Sequence, residues 1–112
     1  MTFQPTGSAA LSHAVRDGAL TLTLSGELDL GAEREVRAWI GEHAAAHGGP
    51  VVLDLRGVAF ADSAGLRALI NADAAARQDG WSLRIVIADG QLRQTLAVSG
   101  LDGMLPVYVE PE

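Results

Sequence analysis

Asp62-Ser63-Ala64-Gly65-Leu66 is the segment of this chain whose residue types and spacing could do chemistry. A serine hydroxyl at the start of a helix lies beside unpaired backbone N–H groups and the positive end of the helix dipole, a place suited to a phosphate. Phosphorylation there adds about two negative charges. On a flat interface that charge repels an acidic partner, or replaces close packing with a desolvation cost. Such a site can switch an interaction without being an active site. The plainer reading is structural: Asp62 or Ser63 accepts from the free N–H groups of the first turn and caps the helix.

Other constellations are weaker. Ala61-Asp62-Ser63-Ala64-Gly65 has the outline of a nucleophile elbow, which makes a small serine hydrolase the enzyme alternative. Ala61 replaces the first glycine of that motif, and His13, His43 and His47 all precede the serine, whereas that fold places its histidine last. Asp54, near the end of an apolar strand, could be a phosphoacceptor of receiver type, but the early acidic pair and late lysine of that chemistry are absent. His43 and His47 have helical spacing for one metal. Position 44 is Ala rather than Glu and no third ligand follows, so neither a metal nor a cofactor is expected. Trp39 reads as core, Trp81 is unassigned, and Glu33, Glu35 and Asp73 read as solvated helix faces. Phe3, Phe60 and Tyr108 are too scattered for a base-stacking platform.

Composition narrows the classes further. The chain has 112 residues, 48% of them hydrophobic, enough for one domain. Acidic residues outnumber basic ones 14 to 8, a net charge of −6, which argues against nucleic acid and anionic membrane as partners. Every basic residue is arginine, so a Walker P-loop, a pyridoxal Schiff base and a Ser-x-x-Lys hydrolase are excluded. There is no cysteine, hence no disulfide or thiolate chemistry. No apolar run reaches the ~20 residues of a membrane span, and the first residues lack the basic and apolar regions of a signal peptide. A soluble cytoplasmic protein is the expectation.

The elements that must position Ser63 follow from periodicity. Residues 1–10 read as a flexible start and 11–112 as the domain. Leu11, His13 and Val15, then Leu20, Leu22 and Leu24, alternate with small or polar residues on either side of Asp17-Gly18. That is a hairpin signal, with glycine supplying positive φ for a type I′ turn. A helix is predicted from about Ala32 to His47, capped by Asp29, with Val36, Trp39, Ile40 and His43/Ala44 inward and Gly48-Gly49-Pro50 as its stop. Val51-Val52-Leu53-Asp54-Leu55 is nearly continuous and apolar, which predicts a strand buried on both faces, with 57–61 as its exit. A second helix is predicted from about Ala64 to Gln78, with Leu66, Leu69, Ile70 and Ala74 on its inner face. Leu83–Ile87 is the next strand, Asp89 caps a third helix that buries Leu92 and Leu96, and Val107–Val109 is a last strand. The order β-β-α-β-α-β-α-β defines an α/β fold: a mixed sheet, an N-terminal hairpin plus parallel strands, covered by helices.

Three segments together carry a family resemblance: Asp62-Ser63-Ala64-Gly65-Leu66 after an apolar strand, Gly26-Glu27-Leu28-Asp29 after the hairpin, and Ser99-Gly100-Leu101 after the third helix. In this order and spacing the chain resembles the STAS domains of bacterial anti-sigma factor antagonists, over about residues 11–109. The resemblance implies partner switching by a protein that is not itself an enzyme. The unphosphorylated antagonist binds an anti-sigma factor that is also a serine kinase, and the sigma factor is released for transcription. The kinase then phosphorylates the serine after the motif aspartate, here Ser63, and a phosphatase resets it. Asp62 carries over as the neighbour that supports the loop and the partner contact, and Glu27, Leu28 and Asp29 as part of the partner-facing surface; Ala64 and Gly65 are expected to line the same surface, with the tip near Asp89 joining it. The protein would be a monomer or weak homodimer. Ala64 departs from the family's Ser or Thr, so a second phosphorylation there is not expected. STAS domains also serve transporter tails, stressosome proteins and lipid-transport complexes, so a stand-alone subunit or scaffold of another assembly is the alternative.

Overall fold

Asp17 and Gly18 carry φ of 53° and 81°, the paired positive values that close a two-residue type I′ turn. The computed structural model describes residues 2–6, 9–28 and 30–110. In chain order the elements are β1 (Thr2–Thr6), β2 (Ala9–Arg16), β3 (Ala19–Leu28), α1 (Leu30–His47), β4 (Val51–Ala61), α2 (Ser63–Asp79), β5 (Leu83–Ile87), α3 (Gln91–Ser99), a 3-10 turn (Leu101–Gly103) and β6 (Val107–Val109). The expected flexible start therefore contains a strand. β1 pairs antiparallel with β2, Thr6 opposite Ala9. Its edge position tolerates Pro5, which has no N–H to donate. Composition does not report such backbone pairing. The Asp29 cap lies outside the described residues.

The sheet order is β1-β2-β3-β4-β5-β6, with β1 to β3 antiparallel and β3 to β6 parallel. Parallel crossovers are right-handed, so a sheet that grows in one direction receives all its helices on one face. Burial agrees. Leu20, Leu22, Leu24, Val51, Leu53, Leu55, Ile85 and Ile87 form one core cluster with Val36, Trp39, Ile40, Leu69, Leu92 and Leu96 from the helices. The alternate residues Thr21, Thr23, Val52, Asp54 and Arg84 are half-buried or exposed. The apolar run of β4 is thus buried on one face rather than two.

On the open face Asp54 accepts from Arg56 Nε at 3.0 Å and Nη2 at 2.9 Å. These bonds hold its carboxyl below the usual carboxylate range, against the opposing effect of burial. The Arg84 guanidinium stacks over Tyr108, 4.6 Å from the ring centroid. Asp54 sits in mid-strand, because β4 runs on to Ala61. The predicted exit became strand through two register shifts against β3, between Thr23 and Ser25 and between Gly26 and Glu27. Each inserts an extra residue in β4. The core positions therefore run Leu55, Val58, Ala61, a spacing of three that hides the strand from a period-two reading.

α2 differs in orientation from the predicted helix. Its inner face is Ala64, Gly65, Ala68, Leu69, Ala72 and Ala76, a ridge of mostly small residues at spacings of four. Small side chains let the helix backbone approach its neighbours closely. Ile70, predicted inward, is 42% exposed, and Ala74 is exposed with it.

Candidate functional site

The Asp62–Gly65 turn is held by its own cap and by the end of β3. Asp62 is extended, and its Oδ1 accepts from the Gly65 N–H at 3.0 Å. Its carbonyl accepts from Leu66 N at 2.9 Å, and its own N–H donates to the Leu28 carbonyl at 3.3 Å. Asp62 is therefore the cap, and Ser63, freed from that task, is the exposed first residue of α2. Gly65 lies against the Leu28 backbone so closely that a Cβ would run into the Leu28 carbonyl. Two segments far apart in sequence, Gly26–Leu28 and Asp62–Gly65, thus meet in one corner at the carboxyl ends of β3 and β4. Ligands and partners of open α/β sheets commonly bind at this edge.

Not every predicted contact residue reaches the surface. Ser63 and Glu27 are exposed and Asp62 is half-buried. Leu28, Ala64 and Gly65 are buried, so the expectation that they line the contact surface is corrected: they support it from beneath, because the close β3–α2 contact consumes them. Asp29 lies outside the described residues. Asp89 does not cap α3; Gly90 occupies that position without a side-chain cap. Asp89 is exposed and pairs instead with Arg93 at 3.2 Å.

The structure adds residues that the motif did not include. Phe60, 37% exposed, ends in the same corner. Arg67 and Ile70 follow Ser63 by one and two helical turns and are exposed on the same side. The small-residue ridge 64-68-72-76 was the available signal, because it forces the opposite side of α2 outward.

The histidines are elsewhere. His47 donates from Nε2 to the Gly18 carbonyl at 3.0 Å, at the hairpin turn, the end of the sheet remote from Ser63. His13 pairs with Leu22, about 20 Å down the strand from Leu28 at ~3.3 Å per residue. His43 donates from Nδ1 to the Trp39 carbonyl at 2.9 Å, and its ring centroid lies 4.5 Å from that of His13. Neither a serine triad nor a shared His43–His47 metal site is assembled from these groups. Partial burial, then the His43 charge, then the amino terminus lower the His13 pKa from its ordinary value.

Comparison with known proteins agrees with this architecture. A family profile described as "Mlab, STAS domain" matches residues 11–106. The chain belongs to the STAS domain family. Among solved structures, an anti-sigma factor antagonist from Mycobacterium paratuberculosis is similar, with TM-score 0.78 and 26% identity over 90% of this chain and 86% of that one. The anti-sigma factor antagonist SpoIIAA in its unphosphorylated form matches with TM-score 0.70 and 19% identity over 99% of this chain and 88% of that one. The Bacillus cell fate determinant SpoIIAA in its phosphorylated form matches with TM-score 0.60 and 20% identity, covering 99% and 91%. No curated protein matches the sequence. Among the described residues, no helix is long and apolar enough to cross a membrane.

Proposed function

We propose that this STAS domain is a cytoplasmic anti-sigma factor antagonist switched by phosphorylation of Ser63. Unphosphorylated, it docks the Ser63 corner on an anti-sigma factor serine kinase, and the sigma factor is freed. The kinase transfers the γ-phosphoryl group of its bound ATP to Ser63 Oγ, the hydroxyl proton leaves, and ADP remains with the kinase. The added charge ends the contact, and a serine phosphatase hydrolyses the ester to restore it. The antagonist binds and is modified; it is not itself the enzyme. One observation carries this reading: an exposed serine opens α2 while the adjacent Asp62, not the serine, caps the helix. Glu27, Asp62, Phe60 and the outer side of α2 complete the docking face, and Asp89 extends it at the next loop.

Paired pull-downs from host lysate test the reading, with wild type and Ser63→Asp as baits and mass spectrometry as the readout. A small ATP-binding kinase should be held by wild type and lost with Ser63→Asp, and Ser63→Ala should bind it without accepting phosphate. A second reading is favoured by the matched profile, whose description names Mlab rather than an antagonist: a stand-alone STAS subunit of another assembly. Equal retention of one non-kinase partner by both baits would support that reading and remove the switch.

A further inference from the structure

We propose that Arg67 is the intramolecular receiver of the phosphate on Ser63. The inference rests on Ser63 being the modified residue. Three helical arginines in this chain pair with a carboxylate four residues earlier: Arg37 with Glu33 at 3.7 Å, Arg77 with Asp73 at 3.1 Å and Arg93 with Asp89 at 3.2 Å. Arg67 has the same spacing, but the residue four before it is Ser63, which carries no charge. Arg67 is exposed and makes no ion pair among the described residues. Phosphorylation would supply the missing acid at the position the other three pairs use.

The geometry suits the pair. Residues four apart stack on one side of a helix, and an acid N-terminal to a base is the favoured order. A guanidinium offers a planar fork that matches two phosphate oxygens. The phosphate also sits in the first turn, where the helix dipole favours it. α2 has no acidic residue in that turn to compete for Arg67. The small-residue ridge that turns Ile70 outward is what holds Arg67 on the Ser63 side. Phosphorylation therefore does two things at the docking face. It adds negative charge, and it draws the Arg67 guanidinium away from a partner and toward the helix N-terminus.

The test installs phosphoserine at position 63 of the full chain during translation, so no kinase is required. The second ionisation of the phosphate, ordinarily near pKa ~6, is followed by phosphorus NMR. Arg67 should hold that pKa lower than it is in Arg67→Ala by about 0.3 unit at low salt, the size expected of a helical pair at this spacing. Arg67→Lys should recover part of the difference, high salt should shrink it, and Arg93→Ala should leave the titration unchanged. Equal pKa values in the parent and Arg67→Ala proteins would overturn the proposal, as would a salt-independent difference. The outcome is separable from the switch itself. A lysate kinase that never modifies Ser63 removes the proposed function and leaves this titration intact. Release of a kinase by Ser63→Asp with no titration shift keeps the switch and removes the role of Arg67.

Discussion

Gly65→Ala should destabilise the domain, while the same substitution at Gly41 should stabilise it. In a helix interior, alanine in place of glycine gains about 0.5–1 kcal/mol, chiefly from reduced freedom of the unfolded chain. At Gly41, on α1, an added Cβ meets nothing within 4 Å, so that gain should appear in full. At Gly65 the new methyl would lie 2.9 Å from the Leu28 carbonyl carbon and 3.0 Å from Leu28 Cγ, and closer still to the carbonyl oxygen. Carbon pairs prefer about 3.5–4.0 Å. Leu28 cannot retreat easily. Its residue pairs with Ala61 in the sheet, its carbonyl accepts from Asp62 and its side chain is fully buried. α2 must move instead, stretching the Asp62–Leu28 hydrogen bond. Overpacking of this kind costs about 1–3 kcal/mol. Set against the propensity gain, the expected net loss is about 1–2 kcal/mol of a total that is typically ~5–15 kcal/mol. Urea titration followed by circular dichroism measures both variants. The midpoint should fall for Gly65→Ala and rise for Gly41→Ala, with unchanged slopes. A Gly65→Ala midpoint at or above wild type would refute the argument that backbone contact with Leu28 fixes this residue.

Two further perturbations probe the same corner and the opposite end of the sheet. Asp62→Ala should cost about 1 kcal/mol by removing the cap, with Asp62→Asn far milder; the Gly65 amide, which Asp62 now receives, should exchange with solvent faster in the alanine variant. His13 has a lowered pKa, so the unfolded chain binds more protons than the folded one between the folded value and 6.5. Its contribution is fully present above pH 6.5 and is lost as pH falls through the lower folded value. Urea midpoints measured across this window should therefore drop on acidification, and His13→Leu should flatten that drop; an equal drop in both proteins would assign the effect to other groups.

What the sequence determined by itself was local. The Asp17-Gly18 turn, the helix end before Gly48, the order of strands and α-helices from β2 onward, and a serine at the head of α2 within a short capping segment all depend on residues within a turn of one another, and neighbouring residue types encode them; that β1 precedes them and that Asp62 rather than Ser63 is the cap came from the structure. What depended on distant backbone was decided only by the tertiary structure. Period-two alternation could not reveal that β4 continues to Ala61, because its two bulges exist only against β3. The apolar content of Val51–Leu55 suggested two buried faces, but the one-directional strand order leaves one face open. Asp89 looked like a cap, yet the path of the loop gave that position to Gly90. Hydrophobicity turned Ile70 inward, whereas close packing of the small ridge turned it, with Arg67, toward solvent. The motif residues Leu28 and Gly65 became structural for the same reason: their backbones touch, and no spacing within either segment records a contact made by the other.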